Sequence, residues 1–483
     1  MTGRAPCSGG PGAGCFVPDR LIASTGVGHE GSFPVIPVIQ RAVVLPAIEW
    51  LRSEPISKCL RELNRTQWYS GDQLRALQWE KLRILIDHCY RNVPFYRRRF
   101  DDVGLRPGDI RTLEDYAKLP PLTKDEVRFN QTDLSDPTTR RRVEHCRSGG
   151  TLGIPLTLVR DSLASAYARA AELRGFGWFG IRKGDKQIRI WGVPLDPKAA
   201  RRERRKDFLL NRIRLSTFDL TPESVRAYFE TMRRFKGRYI YGIPSVLFTI
   251  CRIMKDLGLD GEDLRIDFVV CTSETLYPHQ RASIQETFGC RVIDEYGCSE
   301  IGLIALECPE GGMHLSMENI LVEFAERGAG PEHAEVLLTN LNSYSMPLLR
   351  YAIGDTGRLL NGRCPCGRQL DIMSFDAGRV LSVLMAADGH FIAGSVFCYI
   401  AFDIIMKHGG IKDFRVVQKA RDAMEITLVK DATFRNEILE MFTGRVREKF
   451  GPAMRIEYRF VPEIPPEKSG KRLFVSSEIP ESC

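Results

Sequence analysis

An α/β fold with a second, smaller α+β domain is what this sequence predicts, and three features carry the prediction. Short apolar, β-rich runs recur as QIRIWGV, RYIYGI, IDFVVCT and CRVIDEYG, and helical patterns such as PSVLFTICRIMKDLG and PHQRASIQETFG separate the later ones. That alternation implies strands joined by crossover helices, in a large N-terminal domain with mixed or parallel sheets. After Gly378 the texture changes to FRVVQKA, AMEITLVK, a helix through FRNEILEMFTGRVREKFG, and then MRIEYRFV. This ββαβ set makes a small C-terminal domain of its own. Length agrees, since 483 residues suit two or three domains with a large core.

The elements follow in order. Residues 1–41 are expected to be a disordered Gly/Pro-rich lead-in, or an over-long start-codon assignment. Their opening, MTGRAPCSGGPGAGCFVPDR, has no basic start leading into an apolar block and does not read as a signal peptide. The stretch FPVIPVIQRAVVLPAIEWL is broken by Pro34, Pro37, Arg41, Pro46 and Glu49, so no membrane span is expected. Cytoplasm is the default expectation. Ser70 and Gln73 then stand at capping-box spacing, and Leu74, Leu77, Leu82, Leu85, Ile86 and Cys89 follow helical periodicity until Pro94 stops the helix. The expected partition is 42–377 for the large domain and 378–483 for a small mobile one.

Charge is uneven. The net charge is +8, yet Lys198, Arg201, Arg202, Arg204, Arg205, Lys206, Arg212 and Arg214 all fall in one segment. A local concentration argues against a general nucleic-acid-binding surface. The segment is either a solvated helix face or loop, or a docking patch for a phosphorylated cosubstrate or acidic carrier protein.

Fourteen cysteines in an intracellular-looking chain do not suggest a disulfide framework. Cys89, Cys251 and Cys271 sit in apolar runs and read as core. Cys308, His314, Cys364 and Cys366 are different: Gly and Pro surround them, and three Cys with one His complete a tetrahedral zinc set. Such a closed set would be structural; a metal-free pair of loops is the alternative.

The stretch RSGGTLGIPLTL, 147–158, is a glycine- and hydroxyl-rich turn suited to wrapping a polyphosphate with backbone amides. It lacks the Gly-Lys-Ser/Thr ending of a P-loop and the glycine spacing of a dinucleotide fingerprint. Three later stretches join it: Asp294-Glu295-Tyr296-Gly297-Cys298-Ser299-Glu300, Arg350-Tyr351-Ala352-Ile353-Gly354-Asp355 ending a strand, and Pro466-Glu467-Lys468-Ser469-Gly470-Lys471 on a turn. In this order the four resemble the adenylate-forming enzyme superfamily, and within it the phenylacetate–CoA ligase-like family, including its capsule-biosynthesis branch. HCYRNVPFYRRRFDDVGL and LPPLTKDEVR are similar to that family too, so the resemblance spans roughly 55–480.

The resemblance implies ATP-dependent, AMP-forming activation of a carboxylic acid, expected to be aromatic, followed by transfer to a thiol, coenzyme A first. It implies that Ser148, Gly149, Gly150, Thr151 and Gly153 wrap the ATP phosphates. Ser273, Glu274 and Thr275 would sit against adenine, Tyr296 and Gly297 would flank the adenine and acyl sites, and Ser299 would supply the motif's hydroxyl. Glu300 would hold Mg²⁺, Asp355 and Arg379 the ribose, and Lys471 would bridge carboxylate and α-phosphate from the mobile domain. Leu152, Ile154 and Leu381 depart from the family pattern. Transfer to an amine or a carrier protein, or a catalytically lapsed nucleotide-binding interaction protein, are the alternatives.

Overall fold

The computed structural model describes residues 37–147, 157–194, 196–325, 334–377, 383–464 and 475–479. Helical structure begins at Pro37, and the Gly71–Asn92 helix carries the expected reciprocal cap between Ser70 and Gln73. Its Leu74, Leu82, Leu85, Ile86 and Cys89 are buried, while Pro94 opens the next helix, Pro94–Asp102.

An eleven-stranded sheet organises the large part of the chain. From one edge, strands Arg212–Ser216, Gln187–Trp191, Tyr239–Gly242, Phe268–Thr272 and Arg291–Cys298 run parallel. Each apolar run read from the sequence is one of these strands. Beyond Arg291–Cys298 the sheet turns antiparallel, through Gly302–Glu307, Met313–Leu315, Ile372–Ala377, Tyr351–Leu360, Ala334–Asn340 and Ile320–Ala325.

Alternation along the parallel strands divides the core into two layers. Ile188, Ile190, Ile240, Val269, Cys271 and Val292 pack with helices Pro222–Phe235, Pro244–Asp256 and Pro278–Phe288. Tyr239, Tyr241, Val270 and Ile293 face Ala166, Ala170 and Ala171 of helix Ser162–Gly177 and Leu63 of helix Ile56–Thr66. Small alanines let the Ser162–Gly177 helix lie close over the aromatic strand residues.

Asp161 fixes the start of that helix. Its buried Oδ1 accepts from Leu163 N and Ala164 N, both at 3.0 Å, and its Oδ2 from Tyr344 N at 2.9 Å and Ser345 N at 3.1 Å. One carboxylate thus ties a helix N-terminus to a loop far away in sequence.

The C-terminal part is a separate α+β layer. Its sheet has the order Arg455–Phe460, Ala423–Lys430, Ile411–Ala420, Val475–Ser477, and helices Ser395–His408 and Glu437–Phe450 supply Phe397, Phe442 and Phe450 to its core. Phe218 of the larger part enters this core, and Leu220 N donates to Phe391 O at 3.0 Å.

Candidate functional site

The motif residues gather where the parallel strands end, the edge at which α/β sheets bind ligands. Tyr296 and Gly297 close strand Arg291–Cys298, and Ser299 and Glu300 form the turn after it. Gly297 is required there, because a Cβ would lie 2.9 Å from Gly302 O across the hairpin. Ser273 follows the neighbouring strand with φ 75°, a left-handed conformation that costs energy for a non-glycine residue. Beside it, the Thr275 hydroxyl oxygen is buried without a hydrogen-bond partner.

Asp355 is not at the end of its strand, as the sequence suggested, but midway along Tyr351–Leu360. The antiparallel pairing with Ile372–Ala377 carries the strand on to Leu360, a partner that the local sequence does not reveal. This strand lies four places from Arg291–Cys298 in the sheet order, about 19 Å away were the sheet flat. Yet the Tyr296 hydroxyl donates to Asp355 Oδ2 at 2.8 Å, and the Tyr351 hydroxyl donates to Glu300 Oε1 at 3.4 Å. The sheet therefore curls, bringing two buried carboxylates to one edge, each addressed by a tyrosine. Arg160 donates to the Ser299 carbonyl and anchors the turn. Tyr351 and Arg160 were absent from the sequence expectations; Tyr351's place within the Asp355 motif was the available signal.

Ser148, Gly149, Gly150, Thr151, Gly153, Arg379 and Lys471 lie outside the described residues, as do Leu152, Ile154 and Leu381. Of the expected site residues, the described part holds Ser273, Glu274, Thr275, Tyr296, Gly297, Ser299, Glu300 and Asp355.

Several carboxyls near the strand ends titrate high. Burial pushes Glu274 up to about 7, against hydrogen bonds from Ser245. Burial, with Glu307 nearby and Arg281 opposing, pushes Asp294 up to about 7. A carboxyl that stays protonated in the fold stabilises it below the unfolded pKa near 4 and loses that contribution as pH rises toward 7. Asp294→Asn should therefore gain stability relative to the parent between pH 4 and pH 7.5. Urea midpoints at both pH values measure this; an unchanged difference would refute the assignment.

A second cluster stands apart. Cys308, His314, Cys364 and Cys366 offer four ligand atoms all within 4.8 Å of one another. Cys308 Sγ is 3.5 Å from Cys364 Sγ, and His314 Nε2 is 3.2 Å from Cys366 Sγ. His314 Nδ1 lies 2.9 Å from Leu370 O, which assigns the ring proton to Nδ1 and leaves Nε2 facing the thiols. Burial holds the imidazole pKa below its usual value. Gly312 makes room, since a Cβ there would stand 2.9 Å from Cys364 Sγ.

The basic segment divides. Pro197–Leu209 is a helix with Lys198, Arg201, Arg202, Arg204 and Arg205 exposed. Arg214 donates to Asp207 and Glu203, each at 2.9 Å, and Arg212 donates to Asp207. Two of the eight cations therefore staple the helix to the edge strand.

The mixed sheet with its added α+β layer is a fold shared with solved CoA-ligase structures. A crystal structure of 2-hydroxyisobutyryl-CoA ligase with 2-HIB-AMP and CoA superposes with TM-score 0.56 at 18% identity, over 84% of this chain and 90% of that one. Phenylacetate-coenzyme A ligase of Pseudomonas putida is 28% identical over 306 residues, 61% of this chain and 68% of the relative. Protein CapK of Staphylococcus aureus is 23% identical over 438 residues, 87% and 91% respectively. Residues 384–478 match the CapK C-terminal domain. The chain is thus similar to phenylacetate-coenzyme A ligases and, over most of its length, to CapK.

Among the described residues no helix is long and apolar enough to cross a membrane.

Proposed function

We propose that this protein activates a carboxylic acid with ATP and passes the acyl group to a thiol, coenzyme A being the first candidate. The acid's oxygen attacks the α-phosphorus and pyrophosphate leaves; a thiolate then attacks the acyl carbon and AMP leaves. Bringing two anions together makes positioning and charge neutralisation the main tasks. The observation that carries the reading is the joining of Tyr296 to Asp355 and of Tyr351 to Glu300 across four strand positions. Asp355 is suited to accept both ribose hydroxyls. Glu300 supplies the oxygen ligand that Mg²⁺ prefers, and the ion, when bound, would neutralise phosphate charge. Serine and threonine hydroxyls with backbone amides from 148–153, and Lys471, would complete the site. Acid-dependent ATP–pyrophosphate exchange tests the first step; added CoA, carrier protein or amine then identifies the acceptor. No exchange with any acid in a folded, ATP-binding protein would sink the reading in favour of a lapsed nucleotide-binding module. A cytoplasmic setting fits these cosubstrates.

The four-residue cluster is proposed to hold one structural zinc ion. Tetrahedral Zn–S and Zn–N bonds put ligand atoms about 3.5–3.8 Å apart, close to the spacing observed. Elemental analysis of reduced protein should give about one zinc per chain, and Cys364→Ser or Cys366→Ser should lose it together with stability. Metal-free parent protein of full stability would remove the idea.

The exposed cations of helix Pro197–Leu209 are proposed to dock the acceptor's phosphates or an acidic carrier. Arg201→Glu with Arg205→Glu should raise the acceptor KM at low salt and leave exchange unchanged. The effect should fade as salt shortens the screening length to about 8 Å. Unchanged acceptor kinetics at low salt would make this a solvated face only.

A further inference from the structure

The helix-facing side of the parallel strands carries polar groups that the proposed chemistry does not use. Arg189 and Trp191 stand on one strand, Tyr241 on the next, and Glu295 on strand Arg291–Cys298, one residue before Tyr296. The Arg189 guanidinium lies 4.7 Å from the Trp191 ring centre and 4.8 Å from that of Tyr241. The Tyr241 hydroxyl donates to Glu295 Oε1 at 2.7 Å. Glu295 is 7% exposed, and its Oε2 is buried without a hydrogen-bond partner. Arg189 Nε is buried in the same condition.

Glu172 closes the group from helix Ser162–Gly177. Arg189, Arg169 and Arg212 act on its carboxyl electrostatically. Among the described residues it makes neither a hydrogen bond nor an ion pair. Glu172, Arg189 and Trp191 are partly exposed, so the cluster is not wholly sealed in the core.

Polar atoms left unmatched in a folded protein are costly, and folded proteins rarely keep them without a use. Here donors and acceptors stand together at the ligand-binding ends of parallel strands, one residue before Tyr296. A hydroxyl group answers both kinds, donating to a carboxyl oxygen while accepting from a guanidinium. An unsubstituted phenyl ring in the same place would leave them unmatched.

We propose that Glu172, Arg189, Tyr241 and Glu295 form the acyl-binding subsite and select a hydroxylated carboxylic acid. This rests on the acid-activation reading above and names its substrate class. It adds hydroxyl groups to the aromatic acid that the sequence suggested and also admits a non-aromatic hydroxy acid. The Trp191 and Tyr241 rings hold the Arg189 guanidinium in place, and the charged groups read the acid's hydroxyls.

Acid-dependent ATP–pyrophosphate exchange by the full chain tests it with matched pairs: 3,4-dihydroxyphenylacetate against phenylacetate, and gluconate against hexanoate. In at least one pair the hydroxylated acid should win by about 10²-fold in kcat/KM, since sites built to hydrogen-bond a hydroxyl reject the analogue lacking it strongly. Glu172→Ala and Arg189→Met should each erode that preference at least tenfold, chiefly through the KM of the hydroxylated acid. Glu295→Gln keeps the shape beside Tyr241 and serves as the variant least able to disturb folding; it too should erode the preference. Preference for the unsubstituted acids, or a preference unmoved in folded variants, overturns the subsite while leaving acid activation intact. Exchange with no acid at all overturns the acid-activation reading, and the subsite with it.

Discussion

Lys471→Ala is expected to slow acid-dependent ATP–pyrophosphate exchange by about 10²–10³-fold, the usual loss when one group aimed at developing charge is removed. ATP affinity should change little. On the proposed reading the ammonium, a compact point charge, would act only when the carboxylate meets the α-phosphate. Thioester formation from supplied acyl-adenylate should largely survive, because a mobile small domain would then present another face to the site. Equal collapse of both half-reactions in a folded variant would contradict this two-pose assignment.

Glu318→Ala is expected to destabilise the fold by about 3–5 kcal/mol, the range for breaking a buried ion pair from one side. Arg174 Nη1 donates to both Glu318 oxygens, at 2.7 and 2.9 Å, and the Thr66 hydroxyl donates to Oε1 at 2.9 Å. The two charged side chains are 1% and 0% exposed. Removing the carboxylate leaves a guanidinium buried with no opposite charge, whereas Arg174→Met with Glu318→Leu removes both charges at once. The double variant should recover most of the loss in urea unfolding. A single variant within about 1 kcal/mol of the parent would mean that solvent reaches Arg174 after the change, and that the pair does not secure helix Ser162–Gly177.

That helix shows what spacing in a sequence does not carry. Its apolar face gives no sign that Arg174 meets Glu318, that Asp161 gathers four backbone donors, or that Glu172 faces Glu295 across the sheet layer. Apart from Leu163 and Ala164, each partner lies more than a hundred residues away. Likewise, Arg212 and Arg214 read as part of a free basic run until the edge strand sets them against Asp207 and Glu203.

The sequence by itself determined the elements whose physics is local. The Ser70–Gln73 cap, the parallel strands with their crossover helices, and the ββαβ order near the C-terminus follow from capping, periodicity and run length, all set within a few residues. It also placed the cysteine–histidine quartet, because glycine- and proline-rich knuckles mark metal-type ligands locally. Only the tertiary structure decided which motif residues meet. Tyr296 reaches Asp355, and Tyr351 reaches Glu300, because the sheet curls between strands four places apart. Whether Glu295 finds a matching donor depends on what packs over it from helix Ser162–Gly177. Curvature and packing are properties of the whole sheet and its covering helices, so no short stretch of the chain encodes them.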